Sequence, residues 1–247
     1  MRIRFVVPLP VSLMGNLMRR KKRVLNAPNG LETNIKHVGL VLMEKSYNLD
    51  IVRADNTSAL SNFKCGVKSM DDFIHDQENG LAKFIKLRLS NLWLVLEDGK
   101  AVAFFALSKD ALVLNNEDRR NIESKEDNAA ALPTDNDADK FWDKEKYPAF
   151  EIDYLAVCKE MRDNPDEHIG TFIIEEICKM ADADIFSATM FLTVEALDTK
   201  EYSAVKFYQN CGFEFSDVAQ NKYNYDSMFG NQPTTRRMYK IIIPIED

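Results

Sequence analysis

A chain of 247 residues with 45% hydrophobic and 29% charged side chains has the composition of an ordinary globular protein and fits one large or two small domains. No run approaches the roughly 20 apolar residues that a transmembrane helix needs, and neither the four cysteines nor the three histidines have metal-ligand spacing, so a membrane span and a metal centre are both disfavoured. Of the 32 Lys/Arg and 39 Asp/Glu, residues 1–42 hold eight bases and one acid, so the remainder carries a net charge of −14, which makes nucleic acid a poor candidate partner.

The first segment reads as a basic leader. Phe5 to Met14 is apolar but broken by Pro8 and Pro10, and the block Arg19-Arg20-Lys21-Lys22-Arg23 follows it. A signal peptide has its charge first and a small-residue cleavage site, and neither is present. Residues 1–42 are therefore expected to be a disordered leader, a weak membrane anchor or an extension from a mis-assigned start. The last is favoured, because Met43 immediately precedes the first convincing strand. The unpaired cysteines suit reduced thiols in the cytoplasm.

From Asn48 onward the pattern becomes structural. Leu49, Ile51 and Val52 predict a strand. Ser69 is the expected N-cap of a helix through Met70, Phe73 and Ile74, with Asp71 and Asp72 in its first turn. That helix continues or restarts through Leu81, Phe84 and Ile85. Leu92 to Leu96 and Val102 to Leu107 are strands joined by Asp98-Gly99, a two-residue hairpin signal. Residues 115–146, rich in Asp, Glu and Asn, are expected to be an acidic surface insertion, partly helical or mobile. They lack the glycine and terminal glutamate of a calcium loop.

Tyr147 to Val157 is the strongest strand of the second half. Ile169 to Met180 is amphipathic at helical spacing, Met190 to Val194 is a strand, and Ser203 to Asn210 is a short helix stopped by Cys211-Gly212. Phe213 to Phe215 and Arg237 to Ile243 are the last strands. The alternation predicts an α/β fold, a mixed sheet with helices on its faces, over residues 43–247.

Four stretches in this order resemble the GNAT acetyltransferase superfamily. Tyr154-Leu155-Ala156-Val157 followed by His168-Ile169-Gly170-Thr171 is similar to its central strand and cofactor loop. Ala204-Val205-Lys206-Phe207-Tyr208 through Gly212-Phe213 is similar to its A-x-x-F-Y-x-x-x-G-F motif. Phe63-Lys64-Cys65-Gly66 with Met70-Asp71-Asp72-Phe73-Ile74, and Thr235-Arg236-Arg237-Met238-Tyr239, resemble motifs of one bacterial branch. The resemblance covers about Asn48 to Ile243, with the acidic insertion unmatched. It implies a GNAT-like central sheet and acetyl-CoA as co-substrate, held by Leu155, Ala156, Val157, His168, Ile169, Gly170 and Thr171. A strand–loop–helix junction offers unpaired N–H groups and a dipole to a pyrophosphate, and Gly170 lets it approach. The chain departs from the family's Q/R-x-x-G-x-G/A by placing Pro165 at the first position and His168 at the first glycine. Arg162 is a candidate replacement for the missing basic residue.

In the family, the tyrosine that matches Tyr208 is the general acid for the departing thiolate. Glu151 and Asp153, alternating along one strand, share a face and are candidate bases for the amine. Glu195 is a weaker candidate. Backbone N–H groups near Leu155 to Val157 would stabilise the acyl oxygen. Cys158 lacks a paired histidine for covalent catalysis. The implied reaction is direct acetyl transfer to a primary amine of a small molecule or protein. The branch also resembles toxins that acetylate charged tRNA and are held by a DNA-binding antitoxin, and the altered loop allows a non-catalytic CoA-binding module. A homodimer is one expected assembly, and the sequence does not fix the oligomeric state.

Overall fold

The computed structural model describes residues 2–7, 45–133, 136–163, 168–184, 188–228, 230 and 233–243. The strands are β1 (Arg2–Val7), β2 (Lys45–Ala54), β3 (Asn91–Glu97), β4 (Lys100–Leu112), β5 (Tyr147–Val157), β6 (Phe191–Leu197), β7 (Glu214–Phe215) and β8 (Thr235–Ile241). The helices are α1 (Lys68–His75), α2 (Leu81–Lys86), α3 (Asn116–Glu123), α4 (Asn136–Trp142), α5 (Lys159–Arg162), α6 (Ile169–Asp182), α7 (Val205–Asn210) and α8 (Asp217–Met228). The strands form one sheet in the order β1-β2-β3-β4-β5-β6-β8-β7. Only the β5–β6 pair is parallel, so the sheet is mixed.

Successive residues of a strand face opposite sides, and β4 shows the consequence. Ala103, Phe105 and Leu107 enter one core with Ile169, Phe172, Ile173 and Ile177 of α6. Phe104 enters a second core with Ile74 of α1 and with Leu81 and Ile85 of α2. Helices therefore cover both faces, as the sequence pattern predicts. The β3–β4 turn has Asp98 at φ 48° and Gly99 at φ 80°, the two positive angles that a two-residue hairpin of this handedness requires.

One expectation, on Ser69, needs correction, and two segments take definite form. Arg2–Val7, within the segment expected to be a leader or an upstream extension, pairs antiparallel with β2 as an edge strand, while residues 8–44, with the Arg19–Arg23 block, lie outside the described residues. Ser69 is not the N-cap of α1. The helix begins at Lys68, and Asp71 accepts from the N–H groups of Cys65 at 2.7 Å and Gly66 at 3.0 Å, folding the preceding loop back onto its first turn. The acidic insertion carries α3 and α4, and part of it packs inward. Its Ile122 is fully buried, and Phe141 and Trp142 pack with it against Tyr147, Phe191 and Tyr239 at one end of the sheet.

Helix α8 has no counterpart in the sequence reading. It has no buried residue and no apolar stripe, so side-chain periodicity gives no signal. Tertiary contacts hold it instead. The fully buried Asp118 completes a capping box with Asn115 at the start of α3 and accepts from the Asp217 N–H at 2.7 Å. Burial pushes the Asp118 carboxyl up, and the three backbone donors that face it oppose that shift. Farther along α8, the Arg236 guanidinium lies 4.1 Å from the Tyr223 ring centre and 4.5 Å from that of Phe215.

Candidate active site

The site begins with a break in the sheet. β5 pairs with β6 from Ala149–Phe191 to Ile152–Val194, but β5 continues to Val157 and β6 to Leu197 without further pairing. The cause lies on the other side of β5. Tyr154 faces Ala106 and Ile152 faces Leu107, so Asp153 is the extra residue of a β-bulge. A bulge bends and twists its strand, which separates β5 from β6 beyond it. Backbone groups of Leu155 to Val157 that point away from β4 face the opening.

A cavity of about 270 Å³ fills that opening. Leu155, Ala156, Val157, His168, Ile169, Gly170 and Thr171, the seven residues expected to hold the cofactor, all line it. Tyr208 and Asp153 line it too, and Glu151 does not. The early loop supplies Cys65 and Val67 and the first turn of α1 supplies Met70, a contribution that the Cys65-Gly66 motif gave no physical reason to expect. That loop is braced to the far side of the site by Lys159 N–H donating to the Lys64 carbonyl at 2.9 Å.

The wall at the start of α6 is built for an anion. No side chain caps this helix and no acid sits in its first turn, so the N–H groups of Ile169, Gly170 and Thr171 remain for a ligand. Arg162, from α5, also lines the cavity. Its Nη2 is 3.1 Å from Asp163, while its Nη1 is buried with no hydrogen-bond partner among the described residues. A buried, unpaired guanidinium nitrogen is costly, and an oxyanion would relieve that cost. Pro165, which stands at the Q/R position of the pattern, lies outside the described residues together with Asp166 and Glu167.

Two loop residues acquire reasons that differ from the expected ones. His168 sits at φ 42°, in the left-handed region, which explains why a glycine suits this position in the family. His168→Gly is therefore expected to keep or raise stability, by up to about 1 kcal/mol, and His168→Val to lower it by about 1–2 kcal/mol. Urea midpoints measure both, and equal midpoints would contradict the assignment. At Gly170, an added Cβ would lie 2.9 Å from Cε2 and 3.0 Å from Cζ of Phe207. Its smallness thus serves the packing of α6 against α7, which joins the loop and the Phe207-Tyr208 motif in one unit.

Tyr208 is 5% exposed and held edge-on between Phe207 at 5.0 Å and Phe213 at 5.3 Å. Burial pushes its phenol well above the usual range, so it stays protonated and keeps a hydrogen to donate.

The two candidate bases have separate surroundings. Glu151 accepts from Arg237 Nη1 at 2.9 Å, and the same guanidinium also pairs with Asp110 and lies 3.6 Å from Glu195. Asp153 instead faces the cavity and accepts from Ser108 Oγ at 2.9 Å and from Ser90 Oγ. Burial pushes both carboxyls up, against Arg237 for Glu151 and against the two hydroxyls for Asp153. Glu151 is thus committed to an ion-pair network, while Asp153 meets the cavity, as does Glu195. Cys158, with its thiol pushed up by burial, has no thiolate character.

No family model and no curated protein matches the chain. Solved structures do. A tyrosine-to-phenylalanine variant of the toxin AtaT, bound to acetyl-CoA and the C-terminus of the antitoxin AtaR, aligns with a TM-score of 0.50 at 13% identity, over 78% of this chain and 93% of that one. AtaTR bound with acetyl-CoA aligns with the same score and identity over 78% and 94%. A further bacterial toxin aligns at 0.50 and 13% over 79% and 92%. At that identity the likeness is one of fold: the chain has the GNAT-like mixed-sheet architecture found in these toxins.

Proposed function

We propose that the chain is an N-acetyltransferase that moves an acetyl group from acetyl-CoA to a primary amine by direct attack. One juxtaposition carries the reading: the uncapped start of α6, an Arg162 Nη1 without a partner among the described residues and the protonated Tyr208 line the cavity opened by the β5 bulge. The helix start and Arg162 take the pyrophosphate. The cavity takes the thioester end, whose carbonyl oxygen is held by N–H groups of the splayed strand. The amine lone pair attacks the carbonyl carbon, the C–S bond breaks, and Tyr208 donates to the sulfur as negative charge develops there. The proton lost by the nitrogen passes to Asp153, directly or through a water.

The acceptor end is rich in carboxylate. Asp153 and Glu195 line the cavity, with Glu151 and Asp110 behind them. Such a surface favours a cationic amine, such as a polyamine, an aminoglycoside or a lysine side chain. The test is transfer of labelled acetyl from acetyl-CoA across a panel of these amines. Catalysed transfer to at least one supports the reading, and acetyl-CoA binding without any transfer would make the chain a CoA-binding module instead.

A second reading, acetylation of aminoacyl-tRNA, draws on the fold shared with the toxins and on Lys83, Lys86 and Arg88. These three exposed cations lie on and just beyond α2, close in sequence to Ser90. They offer phosphate contacts on an otherwise acidic body. Arrest of translation on expression, with acetylated aminoacyl-tRNA recovered, would select it over the small amine.

A further inference from the structure

We propose that Ser90 and Ser108 are positioning residues that fix Asp153 in the β5 bulge as the base that takes the proton from the acceptor amine. The inference rests on the transferase reading and specifies its acceptor side. Ser90 closes the turn between α2 and β3, Ser108 sits on β4, and Asp153 is the unpaired residue of β5 between them. The two hydroxyls reach different oxygens of one carboxylate, Ser90 to Oδ2 and Ser108 to Oδ1 at 2.9 Å. Ser90 is only 4% exposed, so its hydroxyl is dedicated to an internal partner.

The arrangement has a chemical logic. A bulge residue has no strand partner to set its direction, so its side chain needs other anchors. Two donors, one per oxygen, fix the carboxylate plane and leave one lone pair on each oxygen for the amine. They also favour the charged form in a site where burial opposes it. The acids near Asp153 are Asp110 on β4 and Glu151 on its own strand, with the Tyr154 phenol beside it and Glu195 of β6 lining the same cavity, and the neighbouring cation, Arg237 of β8, pairs with those acids. Hydroxyl donors therefore do what a neighbouring cation does elsewhere. On attack the nitrogen becomes positively charged and far more acidic than the free ammonium, and a carboxylate held in place accepts that proton.

Carbon-13 titration of the aspartate carboxyls, with Asp153 assigned by its absence in Asp153→Asn, reads the base without needing turnover. Ser90→Ala and Ser108→Ala are each expected to raise the Asp153 pKa by about one unit, and the double variant by more. The acidic limb of kcat/KM should move up by the same amount, and Ser108→Thr, which keeps the hydroxyl, should restore both. A serine acting only in packing would change stability and leave the titration and the limb in place. An unmoved titration overturns the inference even where turnover is found. A shifted titration in a chain that acetylates no amine supports the positioning and overturns the transferase reading alone.

Discussion

Replacing Tyr208 with phenylalanine is expected to lower kcat by about 10²–10⁴-fold and leave the fold intact. The ring is what the core needs, because both edge-on contacts, to Phe207 and Phe213, survive in phenylalanine. The hydroxyl is what the proposed reaction uses. Burial keeps the phenol protonated at every working pH, so it cannot be a base, and a thiolate leaving group is stabilised by a donor. The defect should fall on kcat with KM for acetyl-CoA little changed, since the hydroxyl serves the transition state rather than the bound thioester. Steady-state kinetics read both constants. Full turnover in Tyr208→Phe would remove the residue from the mechanism.

Arg237→Leu is expected to cost about 2–3 kcal/mol of stability, a fall in Tm of roughly 5–10 °C. The guanidinium on β8 meets Asp110 on β4, Glu151 on β5 and Glu195 on β6, so one side chain neutralises acids from three strands. Asp110 and Glu151 have side chains only 18% and 23% exposed, and neither can turn fully to water once the arginine is gone. The figure is set below that for a fully buried pair because of this partial exposure. The pH dependence has a definite sign. Burial pushes the Glu151 carboxyl up and Arg237 pulls it down. Without Arg237 its folded proton affinity rises further above that of the unfolded chain. The deficit is then full at neutral pH and shrinks as the pH falls through the carboxylate range. A deficit that does not change with pH would contradict an electrostatic origin.

Much of the sheet was legible in the sequence because apolar alternation and turn chemistry are local. Asp98-Gly99 marked its hairpin, and Cys211-Gly212 marked the end of α7, where Gly212 indeed takes φ 84°. Helix α8 was not legible, since a polar helix held by Asp118 and Arg236 depends on partners far along the chain. The site was legible as a set of residues before it was legible as chemistry. Gly170 stood out as the small residue of a phosphate loop, yet the nearest atoms belong to Phe207. Glu151 and Asp153 looked equivalent at a spacing of two, and only the register showed one in an ion-pair network and the other in a bulge facing the cavity. Ser90 and Ser108 carried no signal, because a lone serine beside a strand has no pattern to distinguish it.

The cavity at the start of α6 is the centre of the account, and acetyl-CoA binding tests it most directly. Calorimetric titration of the purified chain should show one saturable site with a Kd on the order of micromolar to sub-millimolar. Gly170→Val, which displaces Phe207 and crowds the helix start, should remain folded by circular dichroism and lose most of that heat. Absence of binding in the wild-type chain, or equal binding in Gly170→Val, would contradict the assignment of this cavity to acetyl-CoA.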